Sequence, residues 1–144
     1  MEKTSQHNHL LLPYPPSVNK STTVCHGRKI KSPAARKWAK QAREEIALQW
    51  WSKVNGPCRI VITLYPSTKH KFDPDNRIKS ILDALVDAGV IEDDNSSIAF
   101  DTRVRMGVTA PKAFCLVEIE AVPYHAEPLP EGWERWVNGI VSIH

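Results

Sequence analysis

The chain predicts a small α+β domain. Two stretches place apolar residues at helical spacing, several short runs alternate or are rich in β-branched residues, and turn-forming residues separate them. At 144 residues, with 42% hydrophobic and 24% charged side chains, one domain can bury a core without staples. No apolar run reaches the roughly 18 residues that a membrane span needs, so no membrane partner is expected. Met1 to Asn8 lacks the apolar core of a signal peptide, and a cytoplasmic location is expected. Cys25, Cys58 and Cys115 are too dispersed for a disulfide framework or a zinc ribbon, and are expected as buried thiols in or beside strands.

Residues 1–9 are expected to be a flexible N-terminus. Leu10 to Tyr14 is a short apolar strand, and Pro13 to Lys20 is a rigid proline-rich connection. Thr22–Cys25 and Arg28–Lys31 flank His26-Gly27 as a hairpin. Ser32-Pro33 starts a helix, with Ser as N-cap and Pro at the first helical position. It should run to about Ser52, with Ala35, Trp38, Ala39, Ala42, Ile46 and Trp50 facing the core. One ring of Trp50-Trp51 should be core, and the other is a candidate for a subunit interface, where Trp is enriched.

After Asn55-Gly56-Pro57, the β-branched run Cys58–Tyr65 is a strand. A second helix is expected from about Pro74 to Ala88, stopped by Gly89. Its apolar face is Ile78, Ile81, Leu82, Leu85 and Ala88. Asp93-Asp94-Asn95 reads as a turn, Ile98–Met106 as an alternating strand, and Cys115–Val122 as a last strand. The domain is therefore expected over 10–122. From Pro123 the composition shifts to Pro, Glu and Trp, an appended tail over 123–144 that Trp133 and Trp136 could dock on the domain.

The net charge of +3 hides an asymmetry. Lys20 to Arg59 holds ten Lys/Arg against Glu44 and Glu45, whereas Ile81 to Asp101 holds six acids and no Lys/Arg. A basic half can neutralise phosphates by counterion release, although a solvated helix face is the commoner use of such a run. Candidate DNA contacts are Arg36, Lys37 and Lys40 on the first helix, Lys69 and Lys71 in the loop before the second, and Arg103 and Arg105 on the penultimate strand. Phe72 could stack on unpaired bases, with core packing as its ordinary alternative. The six histidines lack the close spacing of a metal site.

The segment D-P-D-N-R-I-K-S-I-L-D-A-L-V-D-A-G-V-I-E-D-D, Asp73 to Asp94, carries acids at both ends of one helix. Mg²⁺ prefers oxygen ligands and keeps several waters, so Asp73, Asp75 and Asp94 would suffice if the next strand folds back. A bound metal lowers the pKa of its water and offsets charge growing on a phosphate. Lys79, one turn past Asp75, projects back toward the helix start. Each residue also has a plainer use: an N-cap for Asp73 or Asp75, turn chemistry for Asp93-Asp94-Asn95, and an i,i+4 pair for Lys79 and Asp83. One capping acid is enough, however, and this segment has several. An EF-hand fails because Arg77, Ile78 and Ala84 occupy positions that need an acid or amide, Gly and Glu.

The pattern D-x-D-N-x-x-K-x-x-x-D-A-L with a following D-D, together with P-P-S-V-N at Pro15 to Asn19, resembles the RusA family of Holliday junction resolvases. The resemblance spans about Leu10 to Val122. It implies a mixed sheet with two main helices, a homodimer, and Mg²⁺-dependent cleavage of four-way junction DNA, with Mn²⁺ as a substitute. The two nicks would be symmetrical and leave ligatable 5′-phosphate and 3′-hydroxyl ends. Asp73, Asp75 and Asp94 match the metal-binding acids, Lys79 the catalytic lysine, and Asn76, Asp83 and Asp93 supporting positions. Asn95-Ser96-Ser97 departs from the family's glutamine and apolar residue after the acidic pair. Alternatives are a non-catalytic DNA-structure-binding protein and a general Mg²⁺ nuclease acting on flaps or single strands. A bacterial or phage source fits the resemblance.

Overall fold

The structure, a computed structural model, describes residues 9–16, 22–25, 28–50, 52–69 and 75–137, with backbone alone for 22–25, 28–31, 75–76 and 136–137. Strand β1 (His9–Pro13) is followed by the hairpin β2 (Thr22–Cys25) and β3 (Arg28–Lys31). Helix α1 (Pro33–Gln49), strand β4 (Cys58–Tyr65), helix α2 (Asp75–Asp87), strands β5 (Asp101–Met106) and β6 (Phe114–Ala121) and the short α3 (Glu134–Val137) complete the order. The main sheet runs β1-β6-β4-β5, antiparallel except for the parallel β4–β5 pair. This is the expected α+β class, with a mixed sheet and two main helices.

Alternation along the strands divides the sheet into two faces. Leu10 and Leu12, Ile60, Ile62 and Leu64, and Val117 and Ile119 point into one core with Trp38, Ala42 and Ile46 of α1 and Ile81 and Leu85 of α2. The opposite face carries Arg59, Val61, Thr63, Tyr65, Leu116, Glu118, Arg103 and Arg105, by the same alternation and register. Cys58 and Cys115 are buried free thiols. Burial pushes the Cys115 thiol up to about 12.

Both ends of α1 and the C-terminal end of α2 have visible causes. Ser32 Oγ accepts from the Ala35 amide at 3.1 Å, and Pro33 opens α1. The helix ends at Gln49, earlier than its apolar stripe suggests, because Trp50 turns extended at φ −134°. Gly89 adopts φ +75° just past α2, a conformation that favours glycine. The Val90 and Ile91 amides then bond to Leu85 O, and Ile91 bridges Val54.

The largest departure from expectation lies at β5, which starts at Asp101 instead of Ile98. Asn95 Oδ1 accepts from the amides of Ser97 and Ile98, and Asn95 O from those of Ile98 and Ala99. The side chain thereby folds the first residues of the alternating run into a turn. Just before the tail Val122 N donates to Pro57 O, and within it the Tyr124 ring lies 5.2 Å from Phe100. Trp133 is about half exposed, and the Trp136 side chain lies outside the described residues. No helix among the described residues is long and apolar enough to cross a membrane.

Candidate active site

The β4–α2–β5 unit decides which acids can meet. Arg77 in the first turn of α2 donates to Pro15 O at 2.5 Å and lies 5.0 Å over the Tyr14 ring. Pro13 pairs with Phe114, and Phe114 with Tyr65, so the start of α2 sits at the C-terminal end of β4. Thirteen residues at about 1.5 Å each carry α2 roughly 20 Å to the other end. There Ile91 bridges Val54, Glu92 Oε2 accepts from the Gly56 amide at 3.0 Å, and Ile98 O accepts from the Cys58 amide.

Asp94 therefore stands beside the N-terminal end of β4, and Asp75 at its C-terminal end. The strand that follows runs parallel to β4 and does not fold Asp94 back toward Asp75. Two aspartates sharing one Mg²⁺ at about 2.1 Å per bond need their backbones far closer than a helix length. Within one chain the two ends of α2 thus lie at opposite ends of β4.

The individual residues are placed as follows. Asp75 opens α2, and Asn76 follows it; their side chains, together with Asp73, Phe72 and Lys71, lie outside the described residues. Lys79 is 71% exposed, and its Nζ is 3.4 Å from Asp83 Oδ1 across one turn. Asp93 Oδ1 accepts from the Asp94 amide at 2.7 Å and its Oδ2 from Asn95 Nδ2 at 3.0 Å. Those donors, the Asp94 amide first, hold its carboxyl below the usual carboxylate range. Asp93 is thus engaged in building the turn, and the Asp94 side chain is exposed. Among the described residues no three His, Cys, Asp or Glu side chains cluster as a metal site.

Sequence reading passed over Arg77. Its guanidinium ties the Pro13–Pro16 stretch to the first turn of α2, so it positions the acid-bearing helix end. The signal available was its place inside D-P-D-N-R, two residues past Asp75.

The basic candidates divide into two groups. Trp38 Nε1 donates to Pro13 O at 2.8 Å, which puts the first half of α1 at the same end of the sheet as the start of α2. Arg36, Lys37 and Lys40 are exposed there, and the first turn of α1 has no acid. Cations near a helix N-terminus oppose the helix dipole, so helix stability does not account for them. Lys69 is exposed in the loop after β4, at that same end.

Arg103 and Arg105, on the sheet, have carboxylate partners. Arg103 grips Asp101 with Nε and Nη2 at 2.9 and 3.1 Å. Arg105 donates to Thr63 Oγ1 at 3.1 Å and Glu118 Oε1 at 3.3 Å. Arg59 adds bonds to Asp101 and Glu120. Arg103 first, then Arg59, holds the Asp101 carboxyl down to about 2. A phosphate would have to compete with these carboxylates.

No curated protein in the comparison matches the chain. The family model described as Endodeoxyribonuclease RusA matches residues 13–113, more than two thirds of the 144. The match runs from the last residue of β1 to the residue before β6. It takes in the proline segment, both main helices and the whole D-P-D-N-R-I-K stretch. The chain belongs to the RusA endodeoxyribonuclease family.

Proposed function

We propose that the protein is a metal-dependent endonuclease that resolves four-way DNA junctions as a homodimer. Its paired symmetrical nicks leave 5′-phosphate and 3′-hydroxyl ends. The observation that carries this reading is the shared end of the sheet. The acid-bearing start of α2, the exposed Arg36, Lys37 and Lys40 of α1, and Lys69 all lie there. Family membership supplies the nuclease class.

Asp73, Asp75 and Asp94 are the proposed holders of Mg²⁺, with Mn²⁺ able to replace it; carboxylate oxygens suit such hard cations. Asp94 fits better than Asp93, whose two oxygens are engaged in the turn. When bound, the metal supplies a more acidic water and offsets charge on the scissile phosphate. Because Asp94 lies a helix length from Asp75, the set closes when Asp94 comes from a second copy. Two such sites related by a two-fold axis match two symmetrical cuts.

Lys79 offsets charge on the phosphate in the transition state. Asp83 holds its ammonium near until the more strongly charged DNA arrives. The basic first turns of α1, with Lys69 and Lys71, hold the phosphate backbone, and Asn76 supports the start of α2. Arg103 and Arg105 contribute to the sheet face before they contribute to DNA.

The test is cleavage of a four-way junction, a flap, a duplex and a single strand, each with and without Mg²⁺ or Mn²⁺, with cut sites mapped. Paired nicks on the junction in metal are expected. Lys79→Ala is expected to lose about a hundredfold or more in rate, and Asp75→Asn more. A protein that binds the junction but never nicks it, with Asp75→Asn behaving identically, would overturn the catalytic reading. Equal cutting of flap or single strand would overturn the junction specificity.

A further inference from the structure

The helices cover one face of the main sheet, and the opposite face carries a cavity. It holds about 550 Å³, within the roughly 300–1,000 Å³ of small-ligand pockets. Its walls are Thr63 and Tyr65 of β4, Arg105 and Met106 at the end of β5, Val108 just past it, and Leu116 of β6.

Its position is beside the proposed nuclease site. β4 and β5 run parallel, so Tyr65 and Met106 lie at the same end of the sheet, the end where α2 begins. The Gly107 amide donates to Leu64 O at 2.7 Å and the Ala110 amide to Pro66 O at 2.8 Å. The rim of the cavity is thereby fastened to the start of the loop that leads to Asp73.

Its polar groups select among ligands. No Asp or Glu lines the cavity. Arg105 is fixed in place, with Nε donating to Thr63 Oγ1 at 3.1 Å and Nη2 to Glu118 Oε1 at 3.3 Å. The Glu118 carboxylate already answers the charge of the guanidinium, so a phosphate gains little there. What remains is the Nη1 end, which bonds to no described residue. The Thr63 hydroxyl accepts from Arg105 and keeps its own proton to donate. These groups suit a neutral ligand with acceptor atoms.

The walls suit a flat apolar body. The Tyr65 ring is stacked on Phe114 at 4.6 Å and 12°, and a Cβ at Gly107 would fall 2.3 Å from it, so it forms a rigid side. Met106 is 46% and Val108 77% exposed, two large apolar side chains left in water at the rim. A plane with two adjacent acceptors on one edge satisfies both requirements. Guanine presents N7 and O6 in that way, and a bidentate arginine is their commonest reader. On the same edge adenine offers an acceptor and a donor, cytosine a donor, and thymine one acceptor.

We infer that this cavity receives a guanine of the DNA strand, unstacked from its neighbours, and that Arg105 sets a guanine preference beside the cut. The inference rests on the proposed junction-cleaving activity for its substrate, and on the cavity for the base. Base contacts specify where phosphate contacts only position, which separates Arg105 from the exposed cations of α1. An Arg105 that served the sheet alone would be indifferent to the base.

The occupant is tested with four-way junctions carrying one 6-thioguanine at successive positions on either side of the crossover, irradiated with the protein in EDTA. One position is expected to give an adduct on Tyr65 or Met106, mapped by mass spectrometry. Val108→Trp fills the cavity from its exposed rim. It is expected to abolish that adduct while circular dichroism and Tm stay at parent values.

The preference is read both as junction affinity in EDTA and as cutting rate in Mg²⁺. Guanine at that position is expected to be favoured over adenine by about tenfold, the discrimination of one bidentate contact. 7-Deazaguanine lacks the N7 acceptor, and Arg105→Lys keeps the charge without the planar fork. Each should remove most of the preference, and the two together should remove no more, because both break the same contact. Inosine keeps N7 and O6 and should behave as guanine does.

The failures are distinguishable. Adducts spread evenly over all positions, or confined to α1, overturn the cavity assignment while junction binding persists. 7-Deazaguanine behaving as guanine overturns the choice of base. Effects of 7-deazaguanine and Arg105→Lys that simply add overturn the role of Arg105. The expected adduct and affinity preference, with no cut in any metal, leave the cavity its base and remove the nuclease reading.

Discussion

The two edges of the sheet show how differently one small domain treats the same chemical hazard. At β1, α1 lends the sheet an amide from Gln49 and an indole N–H from Trp38, and the strand is closed within the monomer. At β5, ion pairs cover the open face of the sheet while the strand's outer amides have no described partner. The first arrangement specifies a terminus of the sheet. The second leaves β5 as the other edge of the four-stranded sheet.

The largest effect is expected from breaking the closed edge at its buried anchor. Trp38 is 6% exposed and packs in the core. Trp38→Ala should lose about 3–5 kcal/mol, read as a fall in urea midpoint, and leave Pro13 O open. Next comes the end of β5. A Cβ at Gly107 would fall 2.3 Å from the Tyr65 ring, which stacks on Phe114 at 4.6 Å and 12°. Gly107→Ala should cost about 1–3 kcal/mol by forcing that ring pair apart.

Gln49→Ala is smaller, about 1 kcal/mol, because its bonds to Leu11 are exposed and water can replace them. Its informative consequence is kinetic. Hydrogen exchange at Leu11 should be slow in the parent and accelerate in the variant, while Thr102 and Val104 do not change. If Leu11 exchanges as fast as Val104 in a monomeric parent, the contrast between the edges is lost.

The smallest effect is a pH dependence. The Asp101 carboxyl is held near about 2 in the fold against 3.8 ordinarily, by Arg103 and then Arg59. Its contribution is present above about 4 and is lost as pH falls through about 2. Asp101→Asn should remove that part of the acid sensitivity. The Tm difference between parent and variant should therefore shrink between pH 5 and pH 2, and shrink further in high salt.

The features legible in the sequence were those fixed by neighbours along the chain. Ser32-Pro33 announced α1, Gly89 ended α2, and the β-branched run from Cys58 to Tyr65 gave β4 with both its ends. Where side chains reach across to other backbone, periodicity misled. Asn95 captured the amides of Ser97 and Ile98 and shortened β5, and α1 stopped at Gln49, whose amide serves β1. The acids around α2 were visible as a set, but spacing carries no strand direction. The parallel run of β4 and β5 moved Asp94 away from Asp75, and nothing local in D-D-N-S-S encodes that crossover.

Arg77 gives the fold one further property. Its bond to Pro15 and its place over Tyr14 make the proline segment and the head of α2 a single mechanical part, although about sixty residues separate them. A pull on one is transmitted to the other without passing through the sheet. DNA that leans on the proline segment would tilt the helix that begins at Asp75, so the geometry of that acid would respond to the shape of the substrate as well as to its charge.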